Sequence, residues 1–165
     1  MRKAYINAID AAERHVRIVT PYFTPVRSLR RAIYRALKRG VRVEIMLSAK
    51  CDIPLTPDVA MFYANKFRKK GARVYIYNGG FHHTKAMTVD DRFSTVGSAN
   101  LNSRSLCYDY EINTFIFDLP ITAELDDIYK KDKLDSDIMT KDFYKHLPLW
   151  HRIVGWFGHY LTRII

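Results

Sequence analysis

Residues 41–47, Val-Arg-Val-Glu-Ile-Met-Leu, form an apolar run continuous enough to predict a central strand of a sheet. Two further runs of this kind, 16–20 and 73–77, flank it in the sequence, and amphipathic helical patterns separate the three. Residues 2–14 place Ala4, Ile6, Ala8, Ile9 and Ala12 among charges. Residues 28–38 turn Leu29, Ile33, Ala36 and Leu37 inward, with Gly40 as the stop, and residues 58–70 end before Gly71. Such alternation predicts an α/β layer fold with helices on both faces of the sheet. The 165 residues fit one compact domain with a sizeable core.

The middle of the chain breaks this rhythm. Residues 84–89 read as a strand, Asp90-Asp91 as the turn that ends it, and 93–96 as a strand running back to Gly97-Ser98. A hairpin beside parallel strands makes the sheet mixed. Residues two apart on a strand share a face, so His83 and Lys85 are expected to point the same way, roughly 7 Å apart, with His82 on the other side. A nucleophile or base beside a fixed positive charge suits attack on an anionic phosphate. Gly97 lets the backbone come close to a ligand, with free N–H groups and the Asn100 amide beside it. A last long strand is predicted over 109–118, with Glu111, Asn113 and Phe115 on one face, then a helix to about residue 129 and a charged segment over 130–142. The domain proper is placed at 1–146. Residues 147–165, apolar at near-helical spacing, form an amphipathic helix expected to pack on the domain or on a partner half.

His83-x-Lys85, then four residues and Asp90, six residues and Gly97-Ser98, with Asn100 following, resembles the HKD signature of the phospholipase D superfamily. Glu111, within Tyr108-Asp109-Tyr110-Glu111-Ile112-Asn113, sits where that superfamily carries a glutamate. With Thr20-Pro21-Tyr22-Phe23 and 97–105, the resemblance extends over nearly the whole chain and looks closest to the C-terminal catalytic half of bacterial cardiolipin synthases. It implies a phospholipase D-like α/β/α sandwich. It also implies roles: His83 as nucleophile on phosphorus, forming a phosphohistidine; Lys85, Ser98 and Asn100 around the phosphate oxygens; Glu111 hydrogen-bonded to the other ring nitrogen of His83. Asp90, the aspartate of the motif, lies on the opposite face of an ideal strand and is read as structural support for the turn or the Gly97 loop. Arg104 either orders the Asn100 loop or contacts a headgroup, and Asp52 and Thr56 are weaker candidates for shaping the pocket.

The resemblance further implies a phosphatidyltransferase that needs no metal and no cofactor, moving a phosphatidyl group between two phosphatidylglycerols with release of glycerol. The second half-site would come from another HKD copy in the same protein or from a homodimer mate. The implied setting is the cytoplasmic side of the bacterial inner membrane, the full-length protein membrane-anchored and this stretch soluble. The net charge of +10 fits anionic lipid, phosphate ester and nucleic acid equally. A single-HKD homodimeric nuclease acting on DNA or RNA is therefore the alternative, and a non-catalytic anion-binding module a third reading. Cys51 and Cys107 are isolated, which indicates neither a zinc site nor a disulfide framework. No apolar run of about 20 residues exists to span a membrane, and no signal peptide is visible.

Overall fold

The computed structural model describes residues 1–161. A seven-stranded sheet has the order β6-β5-β4-β1-β2-β3-β7. Strands β1 (His15–Val19), β2 (Arg42–Ser48) and β3 (Arg73–Tyr77) are parallel, while β4 (Ala86–Val89), β5 (Phe93–Gly97), β6 (Asn113–Ile116) and β7 (Ser136–Ile138) pair antiparallel. The sheet is mixed, as the hairpin requires.

The two faces of the sheet differ chemically. Alternate residues Val16, Ile18, Val43, Ile45, Val74, Ile76 and Met87 pack in a dry core with α1 (Arg2–Ala11), α2 (Arg27–Lys38) and α3 (Thr56–Arg68). The intervening residues face α5 (Leu119–Leu134). There a small cluster of Val19, Met46, Tyr75 and Tyr129 adjoins half-buried Arg17 and buried Glu44, Thr88 and Asp126. Arg17 bonds Asp126, lies 3.5 Å from Glu44 Oε2, and sits over the Tyr129 ring. Burial alone disfavours ionised Asp126, but bonds from His15, Thr88 and Arg17 outweigh it and hold the carboxyl far below the usual range.

Elements end where their chemistry says they should. Gly40 and Gly71 take positive φ after α2 and α3. Asp90 and Asp91, at φ 53° and 59°, make the tight left-handed turn between β4 and β5, a conformation aspartate tolerates. Asp118 caps α5 by accepting from Ile121 N at 2.9 Å, and Pro120 sits two residues on, in the first turn, where its missing N–H costs nothing.

Three expectations need correction. The strand predicted over 109–118 shrinks to β6, because Tyr108 N and Asp109 N close back on Arg104 O, ending α4 (Ser103–Cys107). The segment over 130–142 is not simply charged loop: α5 runs to Leu134, β7 adds to β3, and α6 (Lys141–His146) follows. The strand predicted over 84–89 begins at Ala86. At the C-terminal end, α7 (Leu149–Leu161) lies against α3. Added Cβ atoms at Gly155 and Gly158 would come within 2.4 Å of Asp58 O and 2.5 Å of Val59 Cγ2, so α7 meets the α3 backbone at Gly155 and makes room for the Val59 side chain at Gly158. Residues 162–165 of the predicted amphipathic tail lie outside the described residues.

Candidate active site

The carboxyl ends of β1 and β2, the start of β4 and the end of β5 all reach one edge of the sheet, the usual place for ligands in open α/β sheets. His83 and Lys85 sit there in the extended segment just before β4. His82 anchors that segment: its N–H donates to Ser48 Oγ at 2.9 Å, its ring contacts Asp132 at 2.8 Å and packs on Tyr77. With its neighbour held on the α5 side, His83 is exposed, its ring edge-on to Tyr22 at 6.1 Å and tilted against Phe81 at 5.1 Å. Lys85 is buried, and its Nζ folds back to donate to His83 O at 2.6 Å. Burial pushes the Lys85 ammonium below its ordinary pKa, with Glu111 and Asp52 pulling partly the other way.

Asp52, weakly signalled in the sequence, is the carboxylate tied most directly into this corner. Tyr22 OH donates to Asp52 Oδ1, which holds the carboxyl below the usual range, and nearby His83 adds to that effect. Desolvation and the same bond push the Tyr22 hydroxyl up. One carboxylate thus lies within electrostatic reach of both His83 and Lys85. The sequence signal for it was only a polar residue in a proline-bounded loop.

Glu111 lies near Lys85, but its hydrogen bond differs from the one the resemblance implied. It accepts a hydrogen bond from Ser98 Oγ, and the expected bond to the His83 ring is not formed. The reason is local: Ser98 is laced to the loop before β6, with Ser98 N donating to Ile112 O at 2.9 Å and Ile112 N to Ser98 Oγ at 3.0 Å. The Ser98 hydroxyl is accordingly engaged with the loop. Gly97 makes this closeness possible, since a Cβ there would lie 2.2 Å from Ile112 O. Asn100 is buried with its Oδ1 unpartnered, which leaves the carboxamide with unused hydrogen-bonding capacity. Arg104 pairs with Asp109 at 3.1 Å.

Asp90 is remote from this corner and does not brace the Gly97 loop. Its carboxylate accepts from the backbone N–H groups of Glu13, Arg14 and His15 at 2.7, 2.8 and 2.7 Å, fixing the α1–β1 connection to the hairpin turn. Burial opposes its ionisation, and the three N–H bonds with nearby His15 overcome that and lower its pKa. Among the described residues, His15, Asp91 and Asp126 offer ligand atoms within 4.8 Å of one another. Arg17 already occupies that space, 3.0 Å from His15 Nε2 and bonded to Asp126, so the group does not fit a cation. Among the described residues, no helix is long and apolar enough to cross a membrane.

A cleft of about 850 Å³ opens from the same corner. Its lining joins Tyr22, Asn100 and Glu111 with Ile53, Leu55 and residues of α7.

Residues 5–133 match the family described as cardiolipin synthase, PLD-like domain. The chain is 39% identical over 153 residues to the major cardiolipin synthase ClsA of Bacillus subtilis, covering 93% of this chain and 32% of that protein. It is 32% identical over 162 residues to the minor cardiolipin synthase ClsB of the same organism, covering 98% and 41%. It therefore spans about a third of the length of the first of these relatives. Among solved structures, the phospholipase D family member Nuc from Salmonella typhimurium superposes with a TM-score of 0.74 at 20% identity, over 85% of this chain and 91% of that one. Phosphatidylserine synthase from Haemophilus influenzae superposes at 0.72 and 20% identity, over 96% and 41%. At these identities the two structures speak for the fold, a phospholipase D-like α/β/α arrangement. The family match over residues 5–133 speaks for descent: the chain belongs to the cardiolipin synthase PLD-like domains.

Proposed function

We propose that this chain supplies one of the two half-sites of a metal-independent phosphatidyltransferase of the cardiolipin synthase kind. The observation that carries the reading is the pairing of an exposed His83 ring with a buried Lys85 ammonium at the strand ends, in a chain of this family. In the first step a ring nitrogen of neutral His83 attacks phosphorus of one phosphatidylglycerol. The P–N bond forms, the P–O bond to glycerol breaks, and the glycerol oxygen takes a proton from an acid on the other half-site. In the second step the hydroxyl of another phosphatidylglycerol gives its proton to that group and displaces the imidazole, yielding cardiolipin. Lys85 holds positive charge against the non-bridging oxygens, where low local dielectric makes it count most. Asn100 adds a neutral hydrogen-bonding partner at the phosphate, and Ser98 with Glu111 holds the loop beside it.

The acid on the far side is the histidine of a second HKD copy, within the same protein or on a mate. The working surface is the cytoplasmic face of the bacterial inner membrane. The single-motif nuclease reading draws less support, because the relatives above 30% identity carry the name cardiolipin synthase. The test is to incubate the full-length protein with labelled phosphatidylglycerol in the presence of EDTA. Cardiolipin, free glycerol and an acid-labile label on the protein that disappears in His83→Asn are expected. Strict metal dependence, or label that persists in His83→Asn, would overturn the mechanism.

A further inference from the structure

The cleft beside the catalytic corner has a chemistry that the phosphate reaction leaves unused. The apolar part of its lining includes Ile53 and Leu55 from the loop before α3, and Trp150, Ile153 and Phe157 from α7. These side chains stand 41–65% exposed, an apolar group large enough to need a cover. At about 850 Å³ the cleft has the size of small-molecule sites, roughly 300–1,000 Å³. The polar part of its lining, Tyr22, Asn100 and Glu111, borders the catalytic corner.

We propose that this cleft takes one acyl chain of the phospholipid whose phosphate is held at His83; the proposal rests on the functional reading above and names how its substrate is bound. An occupant that reaches from the catalytic corner into the apolar part of the lining must join an anionic ester to a long apolar body, and a diacyl phospholipid does so. A nucleic acid strand does not fit the lining. Arg104 is a cation on the cleft wall, and it is already paired with Asp109, whereas a polynucleotide track needs several cations in register with its phosphates. The outer side of α7 fits the same picture. Trp156 and Tyr160, both exposed, put amphipathic rings where a chain would leave the bilayer.

Monomeric phosphatidylglycerols below their micelle concentration, with acyl chains from butanoyl to octanoyl, test this with the full-length protein. If a chain is buried in the cleft, kcat/KM for glycerol release rises by up to about fourfold per methylene, the transfer free energy of one CH₂. In Val154→Trp, which fills the cleft, that rise flattens, while cleavage of the chain-free diester bis(p-nitrophenyl) phosphate stays within about twofold of wild type. If Val154→Trp loses both activities through misfolding, Ile153→Ser at an exposed position decides in its place, expected to reduce the slope with the chain-free activity kept. A flat series in the wild-type protein, or variants that keep the wild-type slope, overturns the proposal; the cleft is then filled by another part of the protein or only rests on the bilayer. Failure of the functional reading looks different: no phosphatidylglycerol of any chain length is turned over, while the chain-free diester or a nucleic acid is cleaved.

Discussion

The hydroxyl of Tyr22 donates to the carboxylate of Asp52, and the same Tyr22 ring stands edge-on to His83. A residue after β1 thus links a loop after β2 to the segment before β4. With Tyr22→Phe the phenol is lost but the ring stays, so Asp52 is freed from its strongest stabilising bond. Its carboxyl pKa is expected to move up toward the ordinary value of about 3.9, visible as an upward shift of the Asp52 midpoint in a ¹³C-carboxyl titration. Activity should fall about tenfold, from the loss of one hydrogen bond that positions the corner.

Lys85 is predicted to trade stability for function. Burial lowers its pKa, so the unfolded chain holds the proton more firmly than the folded one. The cost is present at neutral pH and disappears as pH rises above the unfolded value of about 10.4. Lys85→Met, which keeps the stem and drops the charge, should therefore melt higher than wild type at pH 7, with the gap narrowing toward pH 10. Its kcat should fall by about 10²–10³, the usual loss for one charge-stabilising group.

For Asp90 the sign is opposite. Its folded pKa is depressed, so its contribution is complete above the unfolded value of about 3.9 and is lost as pH falls through the lower folded value. Asp90→Ala strands three backbone N–H groups and should cost about 2–4 kcal/mol at pH 7, measured by urea unfolding. The difference between the two proteins should shrink below pH 4. Activity per folded molecule should be unchanged, which would mark the motif aspartate as a brace for the α1–β1 connection.

Gly97→Ala should separate β5 from the loop before β6. The new methyl would meet backbone, Ile112 O and Asn113 Cα, and neither is the end of a flexible side chain. A loss of about 1–3 kcal/mol is expected, together with reduced activity, since Ser98, Glu111 and Asn100 hang from that junction. A variant with wild-type melting and rate would show that the loop adapts freely.

Much of this was legible because apolar runs and helix stops are local signals. Runs at 16–20, 41–47 and 73–77 and glycines 40 and 71 placed the three parallel strands and their helices to within a residue or two. The hairpin was legible from Asp90-Asp91 between two β-rich runs. What escaped was non-local. Strand β7 is three residues of Ser-Asp-Ile, a strand only because β3 offers an edge, and α4 is a single capped turn. The Tyr22–Asp52 bond joins residues 30 apart in sequence, and no periodicity announces it. Glu111 was matched by motif to His83, but its carboxylate accepts from the Ser98 hydroxyl, 13 residues away in sequence. The polar face under α5 was equally silent, because Arg17, Glu44 and Asp126 read one at a time as solvated charges.

The glycine seam between α3 and α7 has a mechanical meaning. Where Gly155 meets the Asp58 carbonyl with no side chain between, no rotamer change can let the helices drift, so that part of the cleft is fixed like a quay. Admission of anything bulky then depends on the part of the lining beside it, the short exposed stretch from Ile53 to Leu55, whose last residue is held in a left-handed turn at φ 67°. Swapping that stretch between relatives is where differences in cargo size should arise, with the helical bank left as it is.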